Sequence, residues 1–427
     1  MNILKSLIDG KHREGRRKFI RQIVLSSFAL TSSRALMSCT KGGSEEEETF
    51  IPEPTPVETD PQVSISNGLF NQSKKDDLGL QYLDGTEQIM VFRPDQPLDM
   101  KFNNHPQLVE FKGKLYATWV GHPLHETSEI SYVYYSYSSN GTTWEKPIQV
   151  GPANRASGGW LTDGNQLHCL LIAGDKANKT SITEYCSSTD GIAWTEPKVL
   201  IRNAAPSESA RRLPNGRYIM ICHGLGTGAF KEVRGTRIMY SDSKDGLSDW
   251  KQALLPDLPD YNVNSNEKVA RAVEASFFGR LEGELVILFR DLYFDAAPRT
   301  WKLLAAVSQD NGATWSKPTL TNIPDSDSMQ CAGNLSGSVS YFVNNPVPTR
   351  RRVPLTVTLS KNGKLFNKSF LLRDVPQPRR YDGISKTEGY SYPGSFVWKG
   401  YLYVAYATNK EDVEITRIAV DKLIAQV

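Results

Sequence analysis

The chain has 427 residues, of which 39% are hydrophobic and 23% are charged, with 50 Lys and Arg against 47 Asp and Glu. Such a composition is typical of a globular protein that buries a sizeable core. The formal charge of +3 is too small to indicate a nucleic-acid partner. The five cysteines form no CxxC pair and show no spacing with histidine that a metal site would need. The sequence therefore predicts no metal and no cofactor.

The first 38 residues have the layout of an export signal. Lys and Arg, including the pair Arg16-Arg17, are concentrated before a short apolar run, and Leu36-Met37-Ser38-Cys39 follows. A basic region, a short apolar region and a small residue before the cleavage point are typical of a secretory signal. The Arg-Arg segment resembles a twin-arginine signal and the last four residues resemble a lipobox, which makes Cys39 the expected lipidation site. The alternative is an N-terminal helix of the fold.

Residues 39–65 are predicted to be a lipidated, acidic, Pro-rich tether without fixed structure. Glu45 to Glu48 and the prolines that follow cannot bury enough apolar surface to order the segment. Residues 1–38 hold eight basic and two acidic residues, so the chain that remains after cleavage has a net charge of −3. Either disulfides or buried thiols are compatible with the other four cysteines, which are Cys169, Cys186, Cys222 and Cys331.

A turn motif recurs along the chain at intervals of roughly fifty residues, the length of a four-stranded blade. The complete copy runs from Ser308 to Trp315, where Asp310 can accept hydrogen bonds from its own turn and Gly312 supplies a positive φ. Weaker copies lie at Tyr137–Trp144, Ser187–Trp194, Ser241–Trp250 and Ser360–Phe366. Alternating apolar runs joined by short glycine turns fill the intervals and predict hairpins.

These repeats predict an all-β fold. Five turns, together with one blade closed by the two ends of the chain, give a six-bladed β-propeller over residues 66–427. Closure of this kind leaves no sheet edge exposed.

The spaced Asp-box turns resemble the sialidase superfamily, also called BNR-repeat proteins, and in particular its predicted-neuraminidase branch. This resemblance implies a propeller of sialidase type. In sialidases a glutamate activates the nucleophile, and the strand after it ends in one of three arginines that clamp the substrate carboxylate. By resemblance, Glu274 in Val273-Glu274-Ala275-Ser276 is the base, and Arg290 is a clamp residue. An arginine that ends an apolar strand needs a partner, and the candidates are a substrate carboxylate and Asp291.

Two further segments carry the resemblance. The family places a clamp arginine two residues before a Pro-Leu pair, which here is Arg352 within Arg350-Arg351-Arg352. Gly389-Tyr390-Ser391-Tyr392-Pro393 matches the family's Tyr-Ser segment, and Tyr390 is the expected nucleophile. A neutral tyrosine does not repel an anionic substrate, and it becomes nucleophilic when a glutamate beside it takes its proton. Arginine forks bind a planar carboxylate with two parallel hydrogen bonds.

The first blade departs from the family pattern. Sialidases carry an Arg-Ile-Pro segment there, whereas this chain reads Asn103-Asn104-His105-Pro106, and the predicted-neuraminidase branch often has a His at that place. The loop that holds the aspartic general acid of sialidases spans His122 to Glu129 here and contains no Asp. Both Glu126 and Glu129 are therefore candidates for the acid.

Three histidines on first-blade loops, His105, His122 and His125, form a second group of candidates. Their chemistry suits proton transfer near neutral pH or substrate binding, and the alternative is a structural cluster. Some propeller polysaccharide lyases use a His–Tyr pair with an arginine that neutralises a uronate. His105, Tyr390 and Arg290 would serve that chemistry as well.

The leading hypothesis is an exo-acting, sialidase-like glycoside hydrolase that releases an acidic sugar from glycans at the cell envelope. One alternative is a propeller lyase acting on uronate polysaccharides, and another is a glycan-binding surface lipoprotein without catalysis. The expected partners are a glycan with an acidic sugar and a membrane, the latter through the Cys39 lipid only. A monomer is expected, exported and anchored to the bacterial outer membrane on its periplasmic or outer side.

Overall fold

The structure, a computed structural model, describes residues 62–126, 128–175, 180–223, 236–256, 272–280, 283–291, 300–337 and 339–427. The predicted signal at 1–38, the lipidation site Cys39 and most of the predicted tether lie outside the described residues. The last four residues of that tether belong instead to the folded domain. Val63 is fully buried, and β1 (Ser64–Ile65) pairs in parallel with β23 (Leu365–Phe366). The apolar side chains of Val63 and Ile65 enter the core between the fourth and fifth blades, so the folded domain includes residues before 66.

Six antiparallel sheets form the architecture, and the first three follow one another in chain order. The first contains β3 (Phe102–Phe111), β4 (Lys114–His122), β5 (Tyr132–Ser138) and β6 (Ile148–Val150). The second contains β7 (Ala156–Thr162), β8 (Leu167–Asp175), β9 (Thr180–Ser188) and β10 (Lys198–Arg202). The third contains β11 (Ala205–Pro206), β12 (Arg211–Arg212), β13 (Tyr218–His223), β14 (Thr236–Ser241) and β15 (Lys251–Gln252).

The remaining sheets complete the ring. The fourth contains β16 (Ala272–Gly279), β17 (Leu285–Asp291), β18 (Lys302–Ser308) and β19 (Thr319–Pro324). The fifth contains β20 (Cys331–Ser336), β21 (Val339–Asn344), β22 (Leu355–Ser360) and β24 (Lys368–Arg373). The sixth contains β25 (Tyr390–Trp398), β26 (Tyr401–Thr408), β27 (Asp412–Ala419) and, from the start of the chain, β2 (Glu87–Phe92), before the short helix α1 (Val420–Ile424). The six blades and the closure of the last one by both chain ends confirm the predicted propeller.

The Asp-box turns join the third strand to the outer segment in each of the first five blades. In the complete copy, the amide of Gly312 donates to Ser308 Oγ at 2.8 Å and the amide of Thr314 donates to Asp310 Oδ1 at 2.8 Å. The glycine also allows close packing between blades. At Gly191, where φ is 76°, an added Cβ would lie 2.1 Å from the hydroxyl oxygen of Tyr116 in the preceding blade. Only glycine fits there.

Apolar side chains fill the spaces between neighbouring blades, with the ring of inner strands around the propeller axis. Cys169, Cys186, Cys222 and Cys331 are buried free thiols, so the thiol alternative holds for these four. Among the residues described, no helix is both long and apolar enough to cross a membrane. The inner strands β3 and β16 carry His105 and Glu274, two of the residues that the sequence singled out, and the propeller brings these strands to one centre.

Candidate active site

Three inner strands carry a non-glycine residue in the left-handed conformation at an irregularity of the strand pairing. These residues are His105 in β3 (φ 63°), Glu274 in β16 (φ 47°) and Tyr392 in β25 (φ 55°). At the corresponding irregularity of β7 the residue is Gly159, which adopts φ 80° without strain. A left-handed conformation costs a side-chain-bearing residue about 1–3 kcal/mol, and such strain clusters at functional sites. The three strained residues mark the candidate site.

Glu274 and Tyr392 form a pair in the centre of the propeller. The hydroxyl of Tyr392 donates to Glu274 Oε1 at 3.3 Å, and both residues are buried. Burial alone would raise the pKa of Glu274, but the Arg290 guanidinium holds it below its usual value. Burial, and then the Glu274 charge, raise the pKa of Tyr392. The pair is therefore a carboxylate that accepts a hydrogen bond from a neutral phenol, which suits a base next to a weak nucleophile.

Arg290 is ion-paired within the protein. Its Nη1 donates to Glu274 Oε2 at 2.7 Å, and its Nε donates to Asp327 Oδ1 at 2.9 Å. Burial opposes the charge of Arg290, but these two carboxylates raise its pKa well above the ordinary value. Asp291, which the sequence suggested as a partner of Arg290, accepts a hydrogen bond from the hydroxyl of Thr300 instead. Arg290 thus holds Glu274 in place, and no motif in the sequence indicates that Asp327 also pairs with this arginine.

Arg352 is the member of the three-arginine run that faces this pair. Its guanidinium lies 5.2 Å from the centre of the Tyr392 ring, and its buried Nη1 has no hydrogen-bond partner among the described residues. Arg351 pairs with Asp76 on the surface, and Arg350 is half-exposed with its Nε 3.9 Å from Asp327. A buried guanidinium nitrogen without a partner is costly unless an acceptor, such as a ligand oxygen, completes it.

Glu126, and not Glu129, lies at the site. Glu126 is buried, with Oε2 3.9 Å from the ammonium of Lys410 and Oε1 without a hydrogen-bond partner among the described residues. Burial raises the pKa of Glu126, and Lys410 only partly offsets this. Glu129 is exposed. The structure thus separates two candidates that the sequence left open.

The three histidines predicted as a group have different surroundings in the structure. The ring of His105 packs edge-on against Tyr392 with 5.7 Å between ring centres, and burial lowers the pKa of His105 to about 4. His122 packs edge-on against Phe102 at the end of β4, and burial lowers its pKa to about 4 as well. His125 is half-buried on the following loop. Of the three, only His105 contacts the Glu274–Tyr392 pair.

A small cavity, with room for about one water molecule, opens beside Glu274 on the side of the first three blades. Its polar lining comes from His105, Glu274 and His223, together with Ser157 and Ser207. Burial lowers the pKa of His223, so both imidazoles are neutral near pH 7. Within the parts of the chain that are described, no three His, Cys, Asp or Glu side chains converge as metal ligands would. The polar groups that line this cavity are thus uncharged apart from Glu274.

Tyr390, the tyrosine chosen from the sequence, is not beside Glu274. Its hydroxyl donates to the carbonyl of Val375, and its ring packs on Tyr406 and under the guanidinium of Arg373 in the core between the fifth and sixth blades. In a regular strand, residues 390 and 392 would share a face. The irregularity after Ser391 and the left-handed conformation of Tyr392 turn only the second tyrosine to the centre.

The sequence contained a signal for Tyr392. Ser391-Tyr392-Pro393 in the sixth blade repeats the pattern Asn104-His105-Pro106 of the first, and the central residue of each triplet is the strained one. No comparable pattern marked Lys410 or His223.

The family model described as a BNR repeat-like domain matches residues 113–404, more than half of the chain. The chain belongs to this family. The predicted resemblance to the sialidase superfamily is thereby confirmed, and a comparison with curated proteins gives no match.

Solved structures agree on the fold. A sialidase matches with 18% identity and a TM-score of 0.52, over 84% of this chain and 35% of that one. The Trypanosoma rangeli sialidase in complex with sialic acid matches with 15% identity and a TM-score of 0.57, over 82% and 61%. A protein of unknown function from Dyadobacter fermentans DSM 18053 matches with 16% identity and a TM-score of 0.56, over 79% and 99%. This chain spans less than two thirds of either sialidase, and at these identities the likeness shows the sialidase-type propeller alone.

Proposed function

We propose that this BNR-repeat protein is an exo-acting glycoside hydrolase that releases an acidic sugar, sialic acid or a related ulosonic or uronic acid, from glycans. The observation that carries the proposal is the contact of 3.3 Å between the Tyr392 hydroxyl and Glu274 Oε1. Tyr392 is the nucleophile, Glu274 its base, and Glu126 the general acid. Arg352 binds the carboxylate of the sugar.

The reaction has two balanced steps. In the first, Tyr392 Oη bonds to the anomeric carbon and its proton passes to Glu274, while the glycosidic C–O bond breaks and the leaving oxygen takes the proton of Glu126. In the second, water gives a proton to Glu126 and its oxygen replaces Tyr392 at the anomeric carbon. The released phenolate recovers the proton from Glu274, and the net change is the addition of one water.

The charges of the site favour a monoanionic sugar. Arg290 is matched by Glu274 and Asp327, and the neutral imidazoles of the cavity add no charge. When Glu126 is protonated, the only carboxylate described near Arg352 and Lys410 is Glu274, which already pairs with Arg290. Leaving out the half-exposed Arg350, the buried cations Arg290, Arg352 and Lys410 then exceed Glu274 and Asp327 by one charge. A carboxylate of the substrate restores the balance.

One observation favours a second candidate, the uronate lyase. The neutral ring of His105 lies against Tyr392, and this His–Tyr pair could take a proton next to a uronate carboxylate. The hydrolase is preferred because Tyr392 donates its hydrogen bond to a carboxylate, which activates it as a nucleophile.

Export and lipidation at Cys39 complete the proposal, since they would hold the enzyme at the outer membrane. Labelling with a radioactive fatty acid tests this part. Incorporation in the full chain and its loss in Cys39→Ala are expected, whereas a soluble, unlabelled full chain would contradict the anchor.

Digestion of a glycan panel tests the reaction itself, with the wild-type protein beside Tyr392→Phe. A reducing acidic sugar should appear with the wild-type protein, without growth of the absorbance of an unsaturated uronate. Growth of that absorbance would establish the lyase. Binding without turnover, equal in both proteins, would leave only a glycan-binding role.

A further inference from the structure

Lys410 is a fixed cation beside the proposed acid. Its ammonium lies 3.9 Å from Glu126 Oε2, and 5.5 Å and 5.4 Å from the ring centres of Phe102 and Tyr392. The side chains of Lys410 and Glu126 are only 4% and 5% exposed. Little water separates or screens the two charges, so each strongly affects the protonation of the other.

The turn that carries Lys410 is held in place. Asn409 and Lys410 are both left-handed, with φ of 57° and 56°, in the turn between β26 and β27. The carbonyl of Lys410 accepts the amide of Asn103 at 2.9 Å, and the side chain of Asn103 donates to the carbonyl of Glu411 at 2.8 Å. These bonds tie the turn of the sixth blade to β3, which also carries His105. The ammonium is thus positioned by the backbone of two blades.

Other charged groups also reach this pair, but Lys410 is the cation with the greatest effect on Glu126. Burial raises the pKa of Glu126, Lys410 lowers it, and smaller contributions come from Ser385, Arg352 and Glu274. Burial lowers the pKa of Lys410 to about 8, although Glu126 supports its charge. Among the residues described, Arg290, Tyr392 and His122 are further titratable groups whose charges interact with this pair, and His125 interacts with His122.

We propose that Lys410 is a positioning residue that controls the proton of Glu126: its ammonium stabilises the carboxylate that Glu126 becomes once the leaving oxygen has taken its proton. This inference rests on the proposed function. The O–H bond of Glu126 breaks as the glycosidic oxygen is protonated, and water restores the proton in the second step. Lys410 itself neither gains nor loses a proton in the cycle.

Removal of the Lys410 ammonium should raise the pKa of Glu126. The pH above which activity falls, because Glu126 has lost its proton, then moves upward by more than about one unit. Proton donation becomes harder at the same time, so kcat falls for glycosides with alkyl leaving groups. A residue with only a packing role would change neither the pH profile nor the dependence on the leaving group.

The test measures kcat/KM against pH for the wild-type protein, Lys410→Met, Lys410→Arg and Glu126→Gln. We expect the alkaline limb to move upward in Lys410→Met and to return close to the wild-type position in Lys410→Arg. Glu126→Gln should abolish the limb, and adding Lys410→Met to it should cause no further shift. An unmoved limb in a folded Lys410→Met, with only KM raised, would overturn the proposal.

A second measurement does not depend on turnover. The infrared carbonyl band of the protonated Glu126, assigned by its loss in Glu126→Gln, is titrated in wild-type protein and in Lys410→Met. An upward shift of its midpoint without any hydrolysis would refute the proposed function and support the role of Lys410. Hydrolysis with an unshifted midpoint would refute the role of Lys410 and leave the proposed function intact.

Discussion

Two tyrosines that lie two residues apart give a matched test of the site. Tyr392→Phe removes the hydroxyl that contacts Glu274, and Tyr390→Phe removes the hydroxyl that donates to the carbonyl of Val375. Each substitution deletes one oxygen from a buried ring. Only the first is expected to affect chemistry.

The expected magnitudes differ widely. Without its nucleophile the enzyme should lose about 10³-fold or more in kcat, equivalent to about 4 kcal/mol in the activation barrier. The Tyr392 ring itself keeps its packing against His105, so the fold should be retained. Tyr390→Phe should keep kcat within about twofold and lose about 1 kcal/mol of stability with its hydrogen bond.

Steady-state kinetics on an acidic-sugar glycoside, with urea unfolding of both variants, measures these effects. Equal losses of kcat in the two variants would indicate a general disturbance of the sixth blade. Full activity of Tyr392→Phe would refute the assignment of the nucleophile.

The other predictions concern the acid, the clamp and the fold. Glu126→Gln should lower kcat/KM on natural glycosides by about 10²–10⁴-fold but spare kcat/KM on nitrophenyl glycosides, whose nitrophenolate leaves without a proton; kcat should fall on both, because Glu126 also takes the proton of water in the second step. The exposed Glu129→Gln should spare both substrates, and kcat/KM values of Glu126→Gln that do not distinguish the two leaving groups would contradict the assignment of the acid. Arg352→Lys keeps the charge but loses the fork, so KM for the acidic sugar should rise by more than about tenfold, and an unchanged KM would exclude a clamp. Gly191→Ala should cost about 2–4 kcal/mol in urea unfolding, because its Cβ would lie 2.1 Å from the Tyr116 hydroxyl at a φ of 76°; wild-type stability would contradict the packing argument.

The fold could be predicted because its signals are local. Each Asp-box turn is specified within about eight residues by a serine, an Asp or Asn and a glycine, and five of them gave the blade count. Glu274 and Arg290 were also within reach, since one hairpin joins β16 to β17 and fixes their separation. Such features need no knowledge of distant contacts.

The site residues that the sequence did not reveal are placed by irregular strand pairing or by contacts between parts of the chain that are far apart in sequence. A strand irregularity decides which of Tyr390 and Tyr392 faces the centre, and alternation alone cannot reveal it. Lys410 reaches Glu126 only because the last blade lies next to the first, and nothing in its own turn indicates that neighbour. Glu126 and Glu129 differ in burial, which depends on how the loop folds against residues far along the chain.

The proposed reaction depends above all on a covalent bond between Tyr392 and the sugar. A fluorinated glycosyl fluoride of the acidic sugar that the panel identifies should slow the second step and trap this intermediate. Mass spectrometry of proteolytic peptides then locates the adduct. We expect one sugar on Tyr392, absent in Tyr392→Phe. An adduct on another residue, or turnover of the reagent that leaves Tyr392 unmodified, would rule out Tyr392 as the nucleophile.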